Sequence, residues 1–249
     1  CGCRGQWRQT RAQPPGAVHN PHEPQAQWRA KATTKDKEWV VYKIQVAETV
    51  RDAPGQPGEP TASFLTAIVT QNAIASDKPG LTAVLAEQIS LGLAAPSTLY
   101  VDGAYVWRQS LKDAHDEGRE VRGPAPASPD RGKTFTAEAF EVDVGGRSAV
   151  CPAGQRSSKC SRLEEAKTGR VNFRFEWNDR LCCACSKRAE CVTATLSHRP
   201  LVVGEHHGFL QARRREMQTE AFQTEMHRRN AIEGTQSELV RAYGLRHAR

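Results

Sequence analysis

No apolar run in the chain approaches the roughly 20 residues that a helix needs to cross a bilayer. No secretory signal is visible either, since no basic segment is followed by a short apolar stretch and a cleavage site. The sequence also contains no internal repeat. These absences exclude a membrane-spanning protein and disfavour a secreted domain held together by disulfides, so we expect a cytoplasmic protein with reduced cysteines.

The composition allows a folded core and favours an anionic partner. The 249 residues are enough for one large domain or two modest ones, and hydrophobic residues make up 38% of them. The formal net charge is +7 and the isoelectric point is about 9.1. Nucleic acid is the commonest partner of such a basic chain, although many basic proteins bind no nucleic acid.

The order of the predicted elements indicates an α/β protein. Apolar and β-branched runs predict strands over 38–47, 63–69 and 99–101, and the first two are expected to be antiparallel neighbours. Helical periodicity predicts helices over 81–93 and 107–117. Strand, strand, helix, strand and helix in this order are typical of a mixed sheet with flanking helices.

Changes in composition divide the chain into four segments. Residues 1–35 are rich in proline and are expected to be irregular, with the remnant of a first strand near Val18. An α/β core is expected over 36–123 and a β-rich segment with six cysteines over 133–204. Residues 205–249 are basic and helical, and we expect them to complete the core.

Asp102 stands at the end of the predicted strand Leu99–Val101, directly before Gly103. A carboxylate at the end of a buried strand costs free energy unless a metal ion, a basic side chain or a helix N-terminus pairs with it. On local grounds Asp102 is either a cap of the following turn or helix, or a metal ligand. Both interpretations are open at this point.

A second carboxylate, Glu233, lies on the C-terminal helical segment. Phe222, Met226, Glu233 and Val240 are spaced by four, seven and seven residues, so on one helix they share a face that should point to the core. Glu233 is either exposed or paired with an arginine, or it meets Asp102 in space. Converging carboxylates can hold Mg²⁺ or Mn²⁺ for phosphodiester chemistry, and shared ligation would place the two carboxylates within about 6 Å.

Six of the eight cysteines fall between Cys151 and Cys191. The spacing Cys182-x2-Cys185 allows two sulfurs to reach one tetrahedral Zn²⁺, with Cys151 and Cys191 as the other ligands. Four sulfur ligands leave no open position, so such a zinc would be structural. The alternative is a set of buried or free cysteines around a β-hairpin, and the sequence leaves both open.

Several of these segments occur together, and in the same order, in one known family. The chain resembles the DDE transposases of bacterial insertion sequences, in the branch with a cysteine-bearing insertion in the catalytic domain. The resemblance rests on segments spread over most of the chain, namely HNPHEPQA (19–26), KEWVVYKI (37–44), LYVDGAYV (99–106), CPAG (151–154), CCACSKRAEC (182–191) and RNAIEGTQS (229–237).

The resemblance implies a ribonuclease-H-like mixed sheet with flanking helices, interrupted by a β-rich cysteine-containing insertion. It implies that Asp102 and Glu233 are catalytic ligands of Mg²⁺ or Mn²⁺, and it places the first catalytic carboxylate near the end of the first strand, at Glu23. The family has Asp there, and misplacement of ligand oxygens by about 1 Å can cost a factor of about a hundred in rate. The family's N-terminal DNA-binding region is also missing and the chain starts at Cys1, so we expect a truncated or degenerate copy.

The implied activity is metal-dependent DNA strand cleavage and strand transfer at insertion-sequence ends, on double-stranded DNA in the bacterial nucleoid. Whether the chain forms a homodimer is left open. The residues expected to contact DNA are arginines of the C-terminal part, namely Arg213, Arg214, Arg228, Arg229, Arg241 and Arg246. Two alternatives stay open, a nuclease of the same fold and a non-catalytic basic nucleic-acid-binding protein with a structural zinc knuckle.

Overall fold

The computed structural model describes residues 18, 21–31, 34–50, 63–128, 132, 134–193 and 195–245. The described parts of 1–49 and 62–93 form one compact unit, and those of 50–61 and 94–249 form a second. The border between residues 93 and 94 falls inside the predicted 36–123 core, and the four predicted segments stay a prediction. Among the described residues, no helix has the length and apolar character that crossing a membrane would need.

The first unit contains a three-stranded antiparallel sheet and one helix. β1 (Gln27–Lys31), β2 (Thr34–Glu48) and β3 (Leu65–Asn72) lie side by side in this order, and α1 (Lys78–Ser90) packs on β2 and β3. The two strands that the sequence predicts as antiparallel neighbours are β2 and β3, so that pairing is confirmed.

Glu23 lies just before the first strand that the structure describes. β1 begins at Gln27, whereas the expected remnant strand over residues 14–18 falls almost entirely outside the described residues. Glu23 precedes β1, and its place at the end of an earlier strand stays a prediction. It lies in a turn in which the backbone N–H of Ala26 donates to the carbonyl oxygen of Glu23 at 3.0 Å.

The second unit begins with a pair of parallel strands. β4 (Thr98–Tyr100) pairs with β5 (Glu120–Arg122), and α2 (Arg108–Asp116) forms the crossover that a parallel pair requires. Apolar side chains of α2 and of both flanking loops pack into one small core, made of Val106, Leu111, Ala114, Val121 and Ala125. Both strands therefore end at the same edge, where Asp102 follows β4.

The cysteine-bearing segment is rich in short strands. β6 (Glu141–Asp143) pairs with β7 (Ser148–Val150), and a second antiparallel sheet has the order β10 (Leu201–Gly204), β9 (Val171–Glu176) and β8 (Lys159–Glu164). These sheets enclose an aromatic core built on Phe140, Phe173, Phe175 and Trp177. The described strands form four separate sheets, so a mixed α/β architecture is observed and the continuous ribonuclease-H-like sheet stays a prediction.

Five of the described α-helices lie in the second half of the chain. Two short helices that carry cysteines, α3 (Asp179–Cys183) and α4 (Arg188–Cys191), follow β9. The chain then continues through α5 (His207–Glu216), α6 (Glu220–Met226), a 3-10 turn (His227–Asn230) and α7 (Ala231–Arg241).

The 3-10 turn explains why one expected helix face is wrong. Phe222 is buried on α6, but the side chain of Glu233 on α7 is 64% exposed instead of pointing to the core. A 3-10 turn advances each residue by about 120° where an α-helix advances it by about 100°, so residues on either side of it change face. The predicted stripe assumed one unbroken helix.

Candidate active site at the end of β4

Asp102 lies at the edge where the two parallel strands end. It follows β4 by two residues and occupies the position before the 3-10 turn Gly103–Tyr105, with an extended backbone. Its side chain makes no capping hydrogen bond and is 68% exposed. The interpretation of Asp102 as a cap is therefore not supported, and the carboxylate faces solvent at the strand end.

The backbone around Asp102 is held by a close approach of the two chain segments. The N–H of Val101 donates to the carbonyl of Arg122 at 2.7 Å. A Cβ atom on Gly123 would lie only 2.7 Å from the carbonyl oxygen of Val101, so glycine is required at that position. This tight packing sets the path of the chain that presents Asp102.

Asp102 and Glu233 contact the same arginine. Nη2 of Arg229 donates to Oε1 of Glu233 at 3.0 Å, and Nη1 of Arg229 lies 4.0 Å from Oδ2 of Asp102. Since one planar guanidinium touches both, the two carboxylates are no more than about 9 Å apart. This bound is looser than the 6 Å expected for shared metal ligation, so that ligation stays a prediction.

Both ion pairs are exposed and contribute little to stability. The side chains of Asp102 and Glu233 are both more than half exposed, whereas that of Arg229 is 26% exposed. Pairs of this kind are typically worth about 0.2–1 kcal/mol. The contact of Arg229 with the two acids can therefore be broken at small cost when another cation approaches.

A denser group of charged side chains lies next to this site. The hydroxyl of Tyr100 donates to Oε1 of Glu225 at 2.8 Å, and Nη1 of Arg122 lies 3.1 Å from Oε2 of the same carboxylate. Arg122 also pairs with Glu120 and Glu216. Burial raises the pKa of Tyr100, and its hydrogen bond to Glu225 raises it further. No sequence pattern pointed to Glu225, which lies 125 residues after Tyr100.

Two of the arginines expected on DNA are engaged inside the protein. Arg213 is 7% exposed, and Arg214 has a side chain that is 14% exposed and pairs with Glu138. Arg214 also donates to the carbonyl of Pro126. These contacts speak against a phosphate-binding role for Arg213 and Arg214, whose position in a basic run had suggested it.

The remaining expected DNA contacts are more accessible. Arg228 and Arg241 are exposed on the C-terminal helical run. Arg229 lies in the same run and contacts the two acids described above. Arg246 lies outside the described residues.

The four cysteines expected to bind zinc come together around one small cavity. Cys151, Cys182, Cys185 and Cys191 all line a cavity of about 30 Å³, which is about the volume of one water molecule. All four are free thiols. The spacing argument thus selected four residues that are neighbours in space, while Cys183 is exposed and does not line the cavity.

Two arginines donate hydrogen bonds to the short helices that carry Cys182 and Cys191. Arg199 donates to the carbonyl oxygens of Cys191 at 3.1 Å and of Phe135 at 2.8 Å, and Arg188 donates to that of Cys182 at 3.3 Å. Burial raises the pKa of both the Cys182 and Cys191 thiols. Without a metal these two groups therefore stay protonated at neutral pH.

The structure does not assemble a complete metal-binding group. Among the residues that it describes, no three cysteine, histidine, aspartate or glutamate side chains are grouped closely enough to hold one ion. Glu23 belongs to the first unit and Asp102 and Glu233 to the second. The role of Glu23 as a third catalytic ligand stays a prediction.

Comparison with known protein families gives a match to part of the chain. Residues 150–249 match the sequence model of a family described as "Transposase DDE domain". The matched region contains the six clustered cysteines and Glu233, but it does not reach Asp102 or Glu23. No curated protein and no solved structure matches the chain.

Proposed function

We propose that the chain carries out metal-dependent cleavage and joining of DNA strands, since residues 150–249 match the sequence model of a transposase DDE domain. The observation that supports this most directly is the contact of Asp102 and Glu233 with one arginine at the end of β4. The proposed substrate is double-stranded DNA at the ends of a bacterial insertion sequence, and the proposed place of action is the nucleoid. Glu23 would take the position at which the family has Asp.

Asp102 and Glu233 are proposed to hold Mg²⁺ or Mn²⁺. Their oxygens are the hard donors that these ions prefer, and both side chains are exposed at the strand edge. A bound ion would supply activation of the attacking hydroxyl and stabilisation of charge on the phosphoryl oxygens. Arg229 holds a positive charge between the two acids, so it keeps them near one another before a metal ion binds.

Arg229 and its neighbours are also proposed to hold the DNA backbone. Like charges only a few ångströms apart disfavour one another, so the guanidinium of Arg229 would be driven away from Asp102 and Glu233 if these acids held a divalent cation. Arg229 can then turn to a DNA phosphate, beside Arg228 and Arg241 on the same helical run. Arg213 and Arg214 are left out of this proposal because their side chains are engaged within the protein.

The direct test is nicking of supercoiled DNA with Mg²⁺ or Mn²⁺ present. We expect the unmodified protein to nick DNA and D102N to lose this activity. D113N removes the same charge from the exposed side of α2 and should keep it. Equal nicking by the unmodified protein and D102N would mean that a contaminant cleaves the DNA, and it would overturn the catalytic proposal.

The alternatives give different products in the same assay. A nuclease of this fold would release nicked DNA without joined strands, whereas a transposase joins a labelled 3′ end to a target strand. A non-catalytic binding protein would shift the DNA in a gel and leave it intact. Joined product that depends on Asp102 is therefore the result expected from the proposal.

We also propose that the four clustered thiols form a structural zinc site. Their common cavity and the Cys182-x2-Cys185 spacing favour this. The side chains would have to turn into the cavity, because the described residues include no metal-binding group as they stand. Metal analysis should find about one zinc per chain, lost in C185S and kept in the matched C183S variant. Absence of zinc from protein purified without chelator would dismiss the site.

A further inference from the structure

Glu225 joins the ends of both parallel strands to the C-terminal helical run. Tyr100 and Arg122 are directly opposite each other in the β4–β5 pair, and each is the last residue of its strand. Tyr100 donates its hydroxyl hydrogen bond to one oxygen of Glu225, at 2.8 Å, and Arg122 pairs with the other oxygen, at 3.1 Å. A single carboxylate on α6 is thus held at two points, one on each strand.

These contacts lie close to the candidate site in both sequence and space. Tyr100 precedes Asp102 by two residues, and Glu225 precedes Arg229 and Glu233 by four and eight residues. A single contact between α6 and one strand would still allow the helix to rotate or slide. Attachment of both Glu225 carboxylate oxygens, one to each strand, restricts both movements. The 3-10 turn that begins at His227 directly follows α6, so fixing α6 also restricts where Arg229 and Glu233 lie.

The contacts are also less accessible to water than those of Arg229. The side chains of Arg122 and Glu225 are 20% and 29% exposed, in contrast to 64% for Glu233. Arg228, on the next turn, donates to the Tyr100 hydroxyl at 3.5 Å and adds a further contact between the same two elements. Partly buried pairs are screened less by salt than exposed ones, so this group holds position more firmly.

We propose that Glu225 is a positioning residue, which sets the place of Glu233 relative to Asp102 by tying α6 to the ends of β4 and β5. The inference rests on the proposed function, because it assumes that Asp102 and Glu233 share a metal ion. Glu225 does not touch that ion in this proposal. Its effect passes through the helical run to Glu233.

The test measures Mn²⁺ affinity by electron paramagnetic resonance, together with unfolding in urea. E225Q keeps the size of the side chain but loses the charge that pairs with Arg122. We expect it to bind Mn²⁺ about tenfold more weakly or worse, as is common when a residue that orients a metal ligand is replaced. E220Q removes the same charge from the exposed first turn of α6 and should bind Mn²⁺ with the unmodified affinity.

A purely structural role gives a different result. E225Q would then unfold at lower urea, while the folded fraction would bind Mn²⁺ as tightly as the unmodified protein, and the positioning role would be refuted. If E225Q fails to fold, Y100F removes only the hydroxyl contact and should weaken Mn²⁺ binding by a smaller factor; unchanged affinity in Y100F would then refute the role. D102N separates the two proposals, because equal Mn²⁺ affinity in D102N and the unmodified protein would refute the proposed metal site itself.

Discussion

Replacing Arg213 by alanine is expected to destabilise the second unit while leaving its affinity for DNA nearly unchanged. Nη1 of Arg213 donates to the carbonyl oxygen of Gly123 at 3.1 Å, and Nε pairs with Glu216 at 2.8 Å. The guanidinium also lies over the ring of Phe222, 5.5 Å from its centre. Arg213 therefore connects α5 to the segment after β5 and to α6.

The expected loss follows from the partners that the alanine leaves behind. A hydrogen bond to a charged group is worth about 1.5–3 kcal/mol, and a buried carbonyl left without a donor costs about 1–3 kcal/mol. Glu216 keeps its ion pair with Arg122, so it is not left as an isolated charge. Together with the lost contact to Phe222, we expect R213A to lower the free energy of unfolding by about 2–4 kcal/mol.

Unfolding in urea, followed by tryptophan fluorescence and circular dichroism, measures this change. Fluorescence anisotropy with a labelled duplex, at several salt concentrations, measures DNA binding on folded protein. The matched variant is R228A, which removes an exposed arginine. It should change the free energy of unfolding by less than about 1 kcal/mol. It should also reduce the slope of log DNA affinity against log salt concentration by about one. An R213A protein with unmodified stability but weakened DNA binding would refute this account of Arg213.

Two further predictions concern glycine packing and acid sensitivity. Gly123→Ala should lower the free energy of unfolding by about 1–3 kcal/mol, because its Cβ would meet the Val101 carbonyl oxygen at 2.7 Å. The matched change Gly208→Ala has open space around the new Cβ and should be neutral or stabilising. Equal urea midpoints for the two variants would contradict this. Burial lowers the pKa of His207 below 6.5, so its unfolded form takes up the proton first and stability should fall as pH drops through about 6.5. His207→Gln should reduce that acid sensitivity in urea titrations between about pH 7.5 and 5.5, and equal acid sensitivity in the two proteins would contradict this.

Local patterns located many elements to within a few residues. The helix expected over 107–117 is α2, and the strand expected over 99–101 is β4, because each carries a strong apolar pattern bounded by glycine or proline. Sequence analysis missed β1 and β8, whose residues QWRAK and KCSRLE are mostly polar. Such strands form because a neighbouring strand supplies hydrogen-bond partners, and this information is not local.

The cysteines and the basic residues show that local spacing predicts contacts between near neighbours in sequence but not contacts with distant segments. The Cys182-x2-Cys185 spacing found neighbours correctly, since two residues three positions apart are held together by the chain itself. The expected DNA contacts of Arg213 and Arg214 were based on a basic run, and local spacing does not determine where such side chains point. Whether an arginine faces water or a buried carbonyl depends on which distant segment packs against it, and for Arg213 that segment is Gly123, ninety residues earlier.

The candidate active site combines both kinds of information. Asp102 could be singled out because a carboxylate after a buried strand is locally costly, and Glu233 because of its helical spacing, but the helix face assumed for Glu233 was wrong. In the positioning role proposed for Glu225, Glu233 is oriented by contacts between residues more than 90 positions apart, in which Arg122 pairs with Glu225 and the Tyr100 hydroxyl donates to it. Since no periodic pattern encodes such pairs, the residues that orient a site are harder to predict from sequence than the residues that perform its chemistry. Substitutions at Glu225 and Asp102 are therefore the pair that tests whether this geometry serves a metal ion.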